Sequence, residues 1–332
     1  MDILRVFDLA QRAVDRLPEP VGRGLFNIVG SVSGVSSMGG ALQLRKNQAR
    51  LRPGMNWVQA RLLSSRAMRS YMRYYYESLR LHSLSREQIL ARVSEAGTER
   101  VRAELAEGRS ITGALTHAGN WDLAGAWSNI ALAEVHTIAE KLDPPELYDG
   151  FLAFREGLGM TIYPLVKGGG ALHKLARDME AAPIFTPVLA DRDLSHTGIE
   201  VVLAGHTVRV APGPALLAQR TGVTIYPTFV HYERLSGERR KKAGSSWGIR
   251  VTILEGVRAA TTLDSTAEER RQDLVRMSQE WMSALEPYLK AHLEDWHMLQ
   301  KVFIDDLDPA RLAASRAKAA EKVQHLDSEQ EG

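Results

Sequence analysis

Cysteine is absent from the 332 residues of this chain, and its absence excludes several kinds of chemistry. Disulfides, thiolate nucleophiles and cysteine-ligated zinc are all excluded. Three catalytic motifs are also missing: the Walker A loop, the His-Glu-x-x-His zinc motif and a complete Gly-x-Gly-x-x-Gly loop. The sequence therefore disfavours an NTPase, a zinc protease and a Rossmann dehydrogenase.

A long hydrophobic run is missing as well. No segment reaches the ~18 to 20 apolar residues that a membrane-spanning helix needs. The first residues include Asp2 and Arg5 and lack the apolar stretch of a signal peptide. We therefore expect neither export by such a signal nor an anchor that spans the membrane.

The net charge of +2 conceals a basic N-terminal quarter, because residues 1–80 hold 13 Lys and Arg against five Asp and Glu. Such a region is typical of proteins that bind nucleic acid or an anionic membrane, and also of an ordinary solvated helical face. Residues 2–30 are predicted to form an amphipathic helix, broken near Pro18 and Pro20, with apolar residues at helical spacing: Ile3, Val6, Phe7, Ala10, Val14 and Leu17. An apolar face flanked by arginines favours contact with a bilayer interface. The alternative is that this face packs against the protein itself.

Residues 71–76 combine tyrosines with Arg73, a mixture that nucleic-acid-binding proteins use for stacking and phosphate contacts. Tyr71, Tyr75 and Leu79 share one helical face, however, so core packing is the favoured interpretation. We therefore expect no nucleic-acid partner.

The pattern after residue 108 predicts an α/β fold. Residues 41–106 have a helical pattern throughout, whereas short apolar runs then alternate with helical stretches. This alternation is typical of a largely parallel central sheet flanked by helices. Strands are predicted over 111–116, 135–139, 161–165, 184–190, 199–203, 224–230 and 249–254, and helices over 120–132, 144–157, 170–181, 213–221 and 266–292. We predict a helical, basic, membrane-associating region over 1–106, an α/β core over 107–305 and a charged tail over 306–332.

Two clusters of titratable residues follow predicted strands, where ligands of α/β sheets collect. One lies in residues 116–122 and the other in residues 190–193. His117 follows the first strand, and Asp122 falls in the first turn of the next helix, where the helix dipole favours a carboxylate. A histidine oriented by a carboxylate is the arrangement of a general base. His173 and Asp178 have the same spacing but lie on different faces of one amphipathic helix, so we predict a surface position for them.

Four blocks carry a resemblance to a known family. Residues 116–122 resemble the His-x4-Asp block of the lysophospholipid acyltransferase superfamily, in the Gly-Asn-Trp-Asp version of the bacterial branch. That branch holds the lipid A acyltransferases and the actinobacterial phosphatidylinositol mannoside acyltransferases. Residues 154–159 resemble its arginine block, and residues 191–194 with 205 and 212–215 resemble its third block. Residues 295–300 resemble the closing segment of the mannoside enzymes.

The resemblance implies an acyl-chain groove, an acyl-CoA or acyl-carrier donor, and no metal or other cofactor. His117 would deprotonate a hydroxyl that attacks the thioester carbonyl. Asp191 stands where the mannoside branch commonly has Glu, and it is one methylene shorter, so Asp191→Glu is expected to retain or improve activity. Asp122 is the competing partner of His117, and otherwise is expected to accept backbone N–H groups at the helix start.

Two arginines are candidates for contact with an anionic substrate, because a guanidinium binds phosphate with paired donors. These are Arg155 and Arg192, and either of them has a structural ion pair as the alternative. Asp193 and His196 complete the predicted substrate-binding set.

The expected function is transfer of a fatty acyl group, palmitoyl in the first instance, from acyl-CoA to a hydroxyl of a mannosylated phosphatidylinositol. We expect a peripheral protein at the cytoplasmic face of the plasma membrane, bound to its anionic surface. Acylation of lipid A or of a glycerolipid is the alternative within this class. Thioester hydrolysis and non-catalytic binding of lipid or nucleic acid are the alternatives outside it.

Overall fold

The computed structural model describes residues 11–12, 14, 16–37, 39–140, 145–165, 170–193, 197–310 and 312–317. Its helices there are α1 (Glu19–Val35), α2 (Gly39–Leu51), α3 (Trp57–Leu81), α4 (Arg86–Arg92), α5 (Glu99–Ala106), α6 (Trp121–Ala131), α7 (Pro145–Gly157), α8 (Ala171–Ala181), α9 (Gly213–Thr221), α10 (Gly237–Ala243) and α11 (Ala267–Ala291). Its strands are β1 (Val93–Ala96), β2 (Ile111–Leu115), β3 (His136–Glu140), β4 (Thr161–Leu165), β5 (Phe185–Leu189), β6 (Ile199–Leu203), β7 (His206–Val210), β8 (Thr224–Arg234) and β9 (Trp247–Ile253).

Five strands form the central sheet in the order β1-β9-β8-β2-β5. Every neighbouring pair is parallel except β8 and β9, which run antiparallel. The parallel pair β3 and β4 lies beside β5, since the backbone N–H of Phe185 donates to the carbonyl of Glu134 at 2.9 Å. The predicted α/β fold with a largely parallel sheet and flanking helices is confirmed.

The middle of this sheet is buried on both faces. All five residues of β2 are buried, as a strand covered by helices on both sides requires. One apolar cluster joins β5, β7 and β8 to α11, and a second joins β2 and β9 to α6. Strand ends at the centre of such a sheet are held in place by the packing of the whole core.

The helical N-terminal region is confirmed, and α1 packs along α3. The contact is close because glycines face α3: a Cβ on Gly30 would lie 2.7 Å from the carbonyl oxygen of Met68. The opposite face of α1 carries exposed apolar side chains. We call these the apolar strip, which comprises Val21, Leu25, Ile28 and Val32.

Within the described ranges, no single helix is long and apolar enough to cross a membrane. The bent pair α1 and α2, with 70° between them, would meet that length and composition together. Residues 2–10, the first part of the amphipathic segment predicted over 2–30, lie outside the described residues, and Phe7 is among them.

Three details differ from the sequence-based expectations. Residues 93–96, predicted to be helical, form β1 and pair with β9, so the sheet begins before residue 107. Strand β7 was not predicted, and it forms a hairpin with β6. In the charged tail, Ser315 is buried and its hydroxyl accepts a hydrogen bond from Arg209 at 3.0 Å, so this part of the tail packs on the body.

Candidate active site

The register of two parallel strands brings His117 and Asp191 together. Leu115 of β2 pairs with Leu189 of β5, and each candidate residue follows its strand by two positions. Since the two strands end side by side, the two side chains project from the same edge of the sheet. Nδ1 of His117 lies 2.5 Å from Oδ1 of Asp191. The shorter Asp side chain therefore reaches the imidazole without a gap.

The Asp191 carboxylate has three donors. Its Oδ2 accepts the backbone N–H of His117 at 3.0 Å and the indole N–H of Trp296 at 2.8 Å, while Oδ1 faces Nδ1. Burial alone would raise the pKa of Asp191, but the charge of a protonated His117 and these hydrogen bonds outweigh burial and lower it. Asp191 is therefore ionised at neutral pH. An ionised carboxylate only accepts hydrogen bonds, so Nδ1 of His117 carries the proton.

The His117 ring remains partly accessible, whereas its partner does not. The His117 side chain is 25% exposed and the Asp191 side chain 1%. Because Nδ1 is occupied by Asp191, Nε2 is the nitrogen left to accept a proton from a bound molecule. This is the geometry that a general base requires.

Residues 295–297, which we call the strap, pair with the backbone of His117. The N–H of His297 donates to the His117 carbonyl at 2.7 Å, and the N–H of Gly119 donates to the Asp295 carbonyl at 3.0 Å. Ala118 and Trp296 thus face each other in an antiparallel bridge. The strap therefore holds the backbone of residues 117–119 in place.

The turn after His117 requires glycine and a capping side chain. Gly119 has a φ of +62°, and a Cβ there would lie 2.7 Å from the carbonyl oxygen of Val230. Asn120 then caps α6 by accepting the N–H of Leu123 at 3.0 Å, and its own amide donates to Glu77 of α3 at 3.0 Å.

Asp122 does not cap the helix, contrary to the expectation. Its Oδ2 accepts the hydroxyl of Tyr74 at 2.8 Å and its Oδ1 accepts Nε–H of Arg155 at 2.8 Å. Asp122 is buried, so this arrangement is an interior ion pair that joins α3, α6 and α7. The negative charge of Asp122 raises the pKa of Arg155. Burial is the main cause that raises the pKa of Tyr74, and the charge of Asp122 is the second. The cap was assigned wrongly because Asn120 holds that position.

Behind the strap lies a buried polar chain. Ser70 of α3 donates to Asp295 at 2.5 Å, and its oxygen lies 3.0 Å from Nε2 of His297. Burial raises the pKa of Asp295 to about 6 and lowers that of His297 to about 3. His297 is therefore neutral near pH 7, and its Nε2–H donates to Ser70 while Ser70 donates to Asp295.

The predicted substrate-binding residues differ in the hydrogen bonds and ion pairs that they already make within the protein. Nε of Arg155 is held by Asp122, so only its terminal N–H groups are left for a substrate. Arg192 makes a long, 4.0 Å contact with the exposed Glu140. Asp193 is tied by its backbone N–H to the carbonyl of Arg209 at 2.9 Å, which links the loop after β5 to β7. His196 lies outside the described residues.

An aromatic wall stands beside His117. The rings of His117 and Trp121 meet edge to face with centroids 5.7 Å apart, and Tyr74 packs on Trp121 at 4.1 Å. Tyr71 and Tyr75 extend this wall, with their hydroxyls 2.7 Å apart. Burial is the main cause that raises the pKa of Tyr71, and the positive charge of Arg192 opposes it in part.

Sequence reasoning missed Trp296, Tyr74 and Asn120 as parts of this site. Trp296 lies in residues 295–300, one of the four blocks that resemble the family, but its spacing does not indicate a contact with Asp191. Within the described part of the chain, no group of three or more His, Asp or Glu side chains is placed to hold a metal ion.

Replacing Asp122 by Asn should destabilise the protein, because Arg155 would keep its charge without an anionic partner. We expect the free energy of unfolding, measured by urea denaturation, to fall by on the order of 3 kcal/mol. The control is Glu268→Gln, which breaks an exposed ion pair with Arg271 and should change little. Equal stability of the two variants would contradict a structural role for Asp122.

Comparisons with known proteins identify the family of this chain. The family model of bacterial lipid A biosynthesis acyltransferases matches residues 8–304. A phosphatidylinositol mannoside acyltransferase of Mycobacterium tuberculosis is 31% identical over 308 residues, which cover 92% of this chain and 90% of the relative. A protein of the same name from Mycolicibacterium smegmatis is 30% identical over 306 residues, covering 91% of each chain. The chain therefore belongs to the bacterial lipid A biosynthesis acyltransferase family.

Proposed function

We propose that this acyltransferase moves a fatty acyl group, palmitoyl in the first instance, from acyl-CoA to a hydroxyl of a phosphatidylinositol mannoside. The chemistry rests on one observation, the 2.5 Å contact between Nδ1 of His117 and Oδ1 of Asp191. The acceptor rests on the names of the relatives from Mycobacterium tuberculosis and Mycolicibacterium smegmatis.

His117 acts as the general base in this proposal. Its Nε2 takes the proton of the acceptor hydroxyl, and Asp191 stabilises the imidazolium that forms. The hydroxyl oxygen bonds to the thioester carbonyl carbon and the carbon–sulfur bond breaks. The proton on Nε2 then passes to the departing sulfur, which leaves as the thiol of CoA. The balance of the reaction is one ester formed and one thioester consumed, with His117 returned to its starting state.

Arg192 is the better candidate for holding a phosphate of either substrate. Nε–H of Arg155 donates to the buried Asp122, and this carboxylate neutralises much of the charge of the guanidinium. Arg192, in contrast, makes a long contact among the described residues with Glu140, whose side chain is mostly exposed, so this ion pair is weak. The aromatic wall next to His117 offers ring faces and the hydroxyls of Tyr71 and Tyr75 to a polar, ring-shaped acceptor.

The direct test incubates the purified protein with palmitoyl-CoA and an acceptor, and identifies the lipid products by mass spectrometry. A mannosylated phosphatidylinositol, a lipid A precursor and a lysophospholipid are supplied in separate reactions. We expect one palmitoyl group on the mannoside. If only the lipid A precursor or the lysophospholipid is acylated, that lipid is the acceptor instead of the mannoside. Free palmitate in every reaction would make the protein a thioesterase.

Replacing His117 by Ala should lower the rate of acyl transfer by ~10²- to 10⁴-fold, which is the usual contribution of general-base catalysis. Asp191→Asn should also lower it, because the neutral amide no longer stabilises the imidazolium. His173→Ala is the matched control, since His173 is exposed on α8. Near-normal turnover by a folded His117→Ala protein would contradict the proposal.

The geometry reverses the expectation for Asp191→Glu. The Asp191 carboxylate already has donors at 2.5, 2.8 and 3.0 Å, and the side chain is buried. An added methylene would push the carboxylate out of this position, so Asp191→Glu should lower the rate.

We further propose that the protein docks peripherally on the anionic cytoplasmic face of the plasma membrane through the apolar strip of α1. Ile28 and Val32 are 63% and 65% exposed, and Trp57 at the start of α3 is 71% exposed. The surrounding region is basic, with 13 Lys and Arg against five Asp and Glu in residues 1–80. Apolar insertion and attraction to anionic lipid together favour this surface.

Replacing Ile28 and Val32 by Glu should weaken binding to anionic phospholipid vesicles in a flotation assay, because both changes put charge where apolar contact is proposed. Salt should weaken binding of the unaltered protein by screening the basic region. Leu263→Glu is the control, since Leu263 is 60% exposed outside the strip. Unchanged vesicle binding by the double variant would contradict this docking surface.

A further inference from the structure

We propose that Trp296 is a positioning residue for the general base: its indole N–H holds the Asp191 carboxylate in the orientation that presents Oδ1 to His117. This inference rests on the proposed function of His117. Trp296 would thus be a third member beside His117 and Asp191, although it lies 105 residues from Asp191 along the chain.

The argument starts from the two oxygens of Asp191. Oδ2 accepts two N–H groups, from the His117 backbone at 3.0 Å and from Trp296 at 2.8 Å, whereas Oδ1 is left to the imidazole. A carboxylate rotates about a soft torsion, because this bond joins tetrahedral and planar carbons. With the indole donor removed, one backbone bond alone would hold Oδ2. The orientation of Oδ1 toward His117 would then be less well defined.

The strap makes this donor rigid relative to the base. Ala118 and Trp296 form an antiparallel bridge, so the indole and the imidazole are carried by two paired backbones. Trp296 itself is fully buried in the apolar cluster around β5 and α11. Close packing in such a core fixes a side chain in one rotamer. The position of the donor therefore follows the position of His117.

A second buried tryptophan shows that packing alone does not demand this hydrogen bond. Trp281 of α11 is also fully buried and belongs to the same apolar cluster. Its indole N–H has no hydrogen-bond partner in the described part of the chain. The core accepts an indole for its apolar bulk at Trp281, whereas at Trp296 the N–H is directed at a buried carboxylate.

The experiment compares Trp296→Phe with Trp281→Phe in the full-length protein. Each change removes similar apolar bulk from the same core, but only Trp296→Phe removes a donor to Asp191. We expect kcat of Trp296→Phe to fall roughly 10- to 100-fold, which is the range for a lost hydrogen bond to a charged group. KM should stay within about twofold for an interaction that acts only on the base. Trp281→Phe should lose stability without this loss of kcat.

A measurement without substrate separates orientation from packing. The ¹⁵N chemical shifts of the His117 ring report which nitrogen carries the proton. In the unaltered protein we expect the proton on Nδ1, and in Trp296→Phe we expect a mixture of both tautomers. A further variant carries β-(3-benzothienyl)alanine at position 296, which replaces the indole N–H by sulfur at nearly the same size. It should lose kcat as Trp296→Phe does, while remaining as stable as the unaltered protein.

Full kcat in the benzothienyl variant, with His117 still protonated on Nδ1, would overturn the role of Trp296. So would equal losses of kcat in Trp296→Phe and Trp281→Phe. Either result would leave the proposed function intact if His117→Ala is inactive. An active His117→Ala enzyme would instead remove the proposed function itself.

Discussion

The short hydrogen bond between His117 and Asp191 is the interaction on which this site depends. It exists because β2 and β5 are paired in parallel, with Leu115 opposite Leu189. His117 and Asp191 each follow the paired leucine of their own strand by two residues. A shift of one residue in either strand would turn one of the two side chains to the other face of the sheet. The buried core that fixes this register is thus also what positions His117 against Asp191.

Keeping Asp191 ionised inside the protein requires compensation for its lost hydration. A buried carboxylate without partners would take up a proton and cease to stabilise an imidazolium. Three N–H donors prevent this: the backbone and the ring of His117 supply two, and Trp296 of the strap supplies the third. The ion pair of Asp122 and Arg155 follows the same rule one turn further on, where it joins α6 to α7 and α3. Both buried carboxylates of the site are therefore satisfied by donors within the interior.

Much of this arrangement could be predicted from local patterns in the sequence. Alternating apolar runs and helices predicted the parallel sheet, and the predicted strand before His117 placed this histidine at a strand end. Two partners distant in sequence escaped prediction: Tyr74 lies 48 residues before Asp122, and no spacing rule links Trp296 to Asp191. The helix-dipole argument placed Asp122 at a backbone cap because it considered α6 alone. Strand β1 was missed because its four residues include Ser94 and Glu95 and form no apolar run.

The central claim is that His117 and Asp191 act as one unit, and a double-mutant cycle tests it most directly. The rate of acyl transfer is measured for His117→Ala, for Asp191→Asn and for the protein that carries both changes. If Asp191 acts only through His117, the second substitution costs almost nothing once the imidazole is gone, and the double variant matches His117→Ala within about threefold. A loss in the double variant equal to the product of the two single losses would contradict the claim, because the two side chains would then contribute independently.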